Sequence, residues 1–145
     1  MTDLEALVRE AEALARKAHR DQVDKSGHPY AEHPARVAAR LSADDQLGRI
    51  VAWLHDTVED TAVTLDELAR VFPTDVVGAV DAITRRPEEG DGYYRRVRRD
   101  PIALRVKYAD IADNTDPART SQLSDQDRER LAAKYRHALE LLDGR

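Results

Sequence analysis

The sequence predicts an all-α fold, a compact bundle of about seven to eight helices, and three observations carry that prediction. Apolar residues recur at three- and four-residue spacing, as in Leu4, Leu7, Val8, Ala11, Leu14, Ala15 and Ala18, which gathers them on one helical face. No segment alternates apolar and polar residues for long enough to make a half-buried strand. Residues that start helices (Ser, Thr, Asp) and residues that stop them (Pro, Gly) fall between the periodic segments.

Thr2 and Glu5 form a capping-box pattern that opens a first helix running to about Gln22. Residues 24–30 include Gly27 and Pro29 and form a loop; Pro34 then fits the first turn of a short helix ending near Leu41, with His33 at its start. From about Asp44 a third helix buries Leu47, Ile50, Val51 and Leu54 and delivers His55 and Asp56 near its C-terminal end. Thr64 and Glu67 repeat the capping box ahead of Leu65, Leu68, Val71 and Phe72, and Pro73 ends that helix. A fifth helix turns Val76, Val77, Val80 and Ile83 inward. After a loop over 87–92 come a short basic helix and, past Pro101, a helix carrying Ile102, Val106, Ala109 and Ile111. Ser124 caps a last helix with Leu131, Tyr135, Ala138, Leu139 and Leu142 on its inner face.

At 145 residues and 41% apolar composition, the chain suits one domain over 1–145 with one core. There is neither an apolar run of about 18 residues nor a basic start followed by an apolar stretch, so we expect a cytoplasmic protein without a membrane partner. The absence of cysteine removes disulfides, thiolate ligands and a Cys nucleophile, and leaves imidazole and carboxylate to hold any metal. A formal charge of −5 does not suit a nucleic-acid polymer as partner. Locally, Arg85, Arg86, Arg95, Arg96, Arg98 and Arg99 read either as an attractor for a phosphorylated small molecule or as a solvated face beside Glu88, Glu89 and Asp91. The sequence leaves the oligomeric state open.

His55-Asp56 is the informative pair. Adjacent helical residues differ by about 100° in direction, so the two can converge on one ion only at a helix end or distortion. Glu59 and Asp60, each four residues further on, stand on the same faces if the helix continues. Four ionisable groups beside Trp53, Leu54 and Val58 repel one another unless a cation or hydrogen bonds offset that. The alternative is that His55 ends a helix and Asp56, Glu59 and Asp60 simply face water. Of the other histidines, His19 reads as structural support and His28 and His137 as surface; Trp53 reads as core, and Tyr30 and Tyr135 as either pocket walls or packing.

Three segments, "GHPYAEHPARVA" (27–38), "AWLHDTVEDT" (52–61) and "VKYADIADN" (106–114), resemble in order and spacing the hydrolase domain of the RelA/SpoT guanosine polyphosphate (ppGpp) family, within the HD superfamily of metal-dependent phosphohydrolases. The resemblance implies an HD-domain helical bundle like the small stand-alone hydrolases. It implies His33, His55, Asp56 and Asp110 as ligands of one divalent ion, usually manganese, with zinc, iron or cobalt as alternatives. It assigns Glu59 and Asp60 to water activation, and Asn114, Lys25 and Ser26 to nucleotide contacts. Two positions depart from the family: Asp24 stands where an arginine commonly precedes the Lys-Ser pair, and Arg85 in "AITRR" (82–86) replaces a usual lysine, keeping the charge for substrate binding. We take Tyr135 as a further substrate contact.

The expected function is therefore metal-dependent removal of pyrophosphate from the 3′ position of a guanosine polyphosphate. The alternatives are the same chemistry on another nucleotide or phosphoester, which Asp24 motivates, and a metal- or nucleotide-binding sensor without turnover.

Overall fold

The computed structural model describes residues 3–144, which form ten helical segments and no strand. Eight are the helices expected from the sequence, and two are single turns, α4 (Thr57–Asp60) and α9 (Pro117–Thr120), too short for periodicity to reveal. The eight are α1 (Leu4–Ala18), α2 (Glu32–Ala39), α3 (Gln46–Leu54), α5 (Leu65–Ala69), α6 (Thr74–Ile83), α7 (Gly92–Arg98), α8 (Pro101–Asn114) and α10 (Asp125–Leu142). An isolated antiparallel bridge, Val23 to Pro29, pins the loop between α1 and α2.

Local chemistry sets most of the boundaries. Thr2 lies outside the described residues; Asp3 caps α1 by accepting from the Ala6 amide at 3.2 Å. The helix stops at Ala18 rather than Gln22, because the chain turns at His19 to bring its ring inward. Thr64 and Ser124 cap α5 and α10 as predicted, accepting from the amides of Glu67 and Asp127. Asp100 and Pro101 start α8.

The helix α3 is the hub: Ile50, Val51, Ala52 and Leu54 are fully buried, with α1 and α2 packed on it and α8 crossing behind. Gly48 permits that start, since a Cβ there would collide with the Asp45 carboxylate that caps the helix and pairs with Arg105 of α8. Trp53 is core, as expected, under the Arg16 guanidinium. Val71 is not: it is 46% exposed, because α5 ends before it and Phe72 fills the inward position. No helix among the described residues is long and apolar enough to cross a membrane.

Candidate metal centre and active site

The chain breaks its helix at the residues that matter. The α3 helix ends at Leu54 and α4 begins at Thr57, so His55 and Asp56 lie in the break, where adjacent side chains can face one point. The buried Thr57 holds the break by donating to the Leu54 carbonyl at 2.8 Å. His33, one residue into α2, and Asp110, on the inner face of α8, arrive from the other side.

His33 Nε2 lies 2.9 Å from Asp110 Oδ1 and 3.7 Å from Asp56 Oδ2; His55 Nε2 lies 3.2 Å from Asp56 Oδ2 and 3.4 Å from Asp110 Oδ1. Ligand atoms of His33, His55 and Asp110 all lie within 4.8 Å of one another. Donors about 2.1 Å from a shared ion sit about 3.0–3.4 Å apart, so these spacings suit the edges of a coordination shell. His55 supplies a further indication. Its Nδ1 donates to the Ala52 carbonyl at 2.6 Å, which leaves Nε2 buried and without a hydrogen bond. A buried ring nitrogen so placed, flanked by the Asp56 and Asp110 carboxylates without a well-formed bond to either, is costly unless a proton or a cation occupies the point it faces.

Electrostatics agrees. Burial disfavours a charged His55, but the Asp56 and Asp110 carboxylates outweigh it and raise its pKa to about 9. Burial opposes ionisation of Asp110 as well, yet Lys107 and the two imidazoles hold its carboxyl well below the usual range. The site thus collects positive charge wherever it can find it.

Around this centre the predicted residues divide. Tyr30 donates to Asp56 Oδ2 at 2.6 Å and also lies 3.5 Å from Asp60 Oδ2, which makes it a wall of the site. The acidic pair separates: Asp60 joins Tyr30, whereas Glu59 accepts the Arg85 amide at 2.8 Å. Burial and the neighbouring Asp56 and Glu59 raise the Asp60 carboxyl above its ordinary pKa. Asn114 donates to the Tyr135 hydroxyl at 3.1 Å and sits 3.4 Å from Asp110 Oδ1, so both border the centre. Lys25 is exposed and without a polar partner among the described residues, and Ser26 contributes only its amide, to Asp24.

Asp24 does not reach toward the centre. It accepts the amides of Ser26 and His28, both at 2.9 Å, and so shapes its own loop. The basic stretch splits likewise: Arg85 lies over the Tyr93 ring at 4.2 Å, Arg96 turns inward, and Arg95, Arg98 and Arg99 line a solvent-facing recess. His28 and His137 are on the surface, His137 paired with Asp91. His19 is buried, bonded to Gln22 and packed against Tyr30, with Nε2 unpartnered.

Two residues escaped sequence reasoning. Lys107 pairs with Asp110 Oδ2 at 3.0 Å, and Asp113, fully buried, meets His33 Nδ1 at 2.8 Å. The available signal was the spacing in "VKYADIADN", which puts Lys107, Asp110 and Asp113 at three-residue intervals on a buried helix.

The HD domain family model matches residues 11–138. A probable GTP pyrophosphokinase of Mycobacterium leprae is 33% identical over 149 aligned positions, covering 94% of this chain and 18% of that protein. A guanosine-3′,5′-bis(diphosphate) 3′-pyrophosphohydrolase of Aquifex aeolicus is 31% identical over 118 positions, covering 74% of this chain and 17% of that protein. The chain thus spans about a fifth of the length of these curated relatives. Among solved structures, a metazoan SpoT ortholog that hydrolyses ppGpp superposes with TM-score 0.81 at 24% identity, over 99% of this chain and 89% of that one. At that identity the likeness establishes the shared fold.

Proposed function

The chain belongs to the HD domain family, and from that membership we propose that residues 1–145 act as one metal-dependent phosphohydrolase domain. We propose guanosine 3′,5′-bis(diphosphate) as substrate and its 3′-pyrophosphate as the group released. His33, His55, Asp56 and Asp110 would hold one divalent ion, with manganese preferred. The observation that carries this reading is the buried, unpartnered Nε2 of His55, facing the same point as His33 Nε2 and the Asp110 carboxylate. When bound, a divalent ion supplies Lewis acidity at phosphorus and acidifies water.

The chain's own residues supply the rest. Asp60, a carboxyl with a raised pKa, takes and returns a proton at the edge of the centre. Glu59 fixes the α6–α7 loop through the Arg85 amide, so its contribution is to hold Arg85 in place for substrate. Asn114 and Tyr135 offer an amide and a hydroxyl for a nucleoside, and Lys25 and Ser26 an exposed loop edge.

Asp24 favours a second reading, in which the same machinery acts on another nucleotide: its carboxylate cannot stack on a base as a guanidinium does. The deciding experiment incubates purified protein with manganese and a nucleotide panel and measures released pyrophosphate and phosphate. Pyrophosphate from ppGpp is the expected result. Turnover of a different nucleotide alone would keep the class and discard the substrate, and metal-dependent ligand binding without product would favour a sensor.

A further inference from the structure

We propose that Asp113 is the positioning residue for His33: it holds the proton on Nδ1, so that Nε2 presents its lone pair at the centre it shares with His55 and Asp110. The inference rests on the metal-hydrolase reading above and assigns a role to a residue outside the ligand set.

Asp110 and Asp113 lie one helical turn apart on α8 and bracket one imidazole: Asp110 Oδ1 at 2.9 Å from Nε2, Asp113 Oδ2 at 2.8 Å from Nδ1. A neutral imidazole has one proton, for which these two carboxylates compete. With a cation on the Asp110 side, that proton belongs on the Asp113 side. Asp113 is suited to receive it because guanidinium groups, which can only donate, surround its carboxylate. Its side chain has 0% exposure, yet it accepts from Arg36 Nε at 3.0 Å and from Arg119 at 2.7 Å, with Arg40 at 3.7 Å. A carboxylate whose oxygens are both held by guanidinium donors is placed to accept from Nδ1. His55 reaches the same state by another route, with its Nδ1 on the acceptor-only carbonyl of Ala52. Both rings therefore present Nε2 to one point, each fixed from behind by a group with no proton to give.

The rival account is that Asp113 is only an ion-pair hub joining α2 to α8, and the test separates the two. In D113N the arginines would hold the amide oxygen and turn its NH₂ toward Nδ1, which favours the wrong tautomer. We expect the Kd for Mn²⁺, by titration calorimetry, to rise about 10- to 100-fold. Arg119→Met also weakens the hub but leaves the carboxylate with Arg36 and Arg40; it should lower the melting temperature with little change in that Kd. Long-range ¹H–¹⁵N spectra of the zinc-loaded wild type should show His33 protonated at Nδ1 and bound through Nε2. Mn²⁺ affinity of D113N no weaker than that of Arg119→Met overturns the assignment. Should D113N not fold, the wild-type spectrum decides alone: zinc bound through Nδ1 of His33 overturns it. A wild type that binds neither Mn²⁺ nor Zn²⁺ overturns the metal reading, and this inference with it.

Discussion

At the scale of single residues, Asp60 shows how the site sets its own chemistry. Partial burial, Asp56 and Glu59 together raise its carboxyl, while Tyr30 lowers it through a hydrogen bond. The folded chain therefore holds this proton more tightly than the unfolded chain does. Stability from this group declines as pH rises from the ordinary carboxylate range through the raised value. Two outcomes are expected. D60N should raise the melting temperature of the metal-free protein at neutral pH, by removing repulsion, while lowering kcat and leaving Mn²⁺ affinity nearly intact. Tyr30→Phe should shift the acidic limb of the kcat profile to higher pH, because Asp60 loses the bond that favours its ionised form. Asp60 was legible from its four-residue offset from Asp56. For Tyr30 the sequence left pocket wall and packing both open, because its partner Asp56 lies 26 positions away and no local rule pairs them.

At the scale of elements, the α6–α7 junction depends on Arg96. It donates to the carbonyls of Asp81, Ala82 and Thr84 at the C-terminal end of α6 and grips Glu89 with two nitrogens. Replacing it with Met should cost about 1–3 kcal/mol, since the helix-end carbonyls and Glu89 lose their shared donor; chemical denaturation measures this. Arg96 holds the Glu89 carboxyl down to about 2, against an ordinary 4.5. A depressed carboxyl contributes stability above its unfolded value and loses it as pH falls from there toward the folded one. The gap in melting temperature between wild type and E89Q should accordingly be open at neutral pH and close between about pH 4.5 and 2. At the other end of the core, Gly48→Ala should cost about 1–3 kcal/mol, because its methyl displaces the Asp45 carboxylate that caps α3 and binds Arg105.

For the whole molecule, the centre is built from α2, the α3–α4 break and α8, so an ion bound there ties together elements that unfold apart. Mn²⁺ at 100 times its Kd should stabilise the fold by roughly 2.7 kcal/mol. For a chain of this size that amounts to a rise of about 5–10 °C in melting temperature, reversed by a chelator. Calorimetry of wild type and H55A in parallel checks it: H55A should show no rise. Uptake near neutral pH should also release protons, because His55 is raised to about 9 without metal and must lose its proton to ligate.

The division between what was readable and what was not follows from how far each interaction reaches along the chain. Helical periodicity, the caps at Thr64 and Ser124, and the requirement that His55 and Asp56 sit at a helix end are all decided within a few residues. The sequence by itself therefore determined the eight longer helices, though not the single turns α4 and α9, and the motif spacing selected His33, His55, Asp56 and Asp110. Tertiary structure decided what surrounds them. His33 meets Asp110 and Asp113 across 77 and 80 positions, and the separation of Glu59 from Asp60 depends on a loop 26 residues further on. Whether Asp24 faced the centre or its own turn was likewise open until the loop closed on it. Such pairings depend on how helices pack against one another, and a pattern read along one helix does not contain that information.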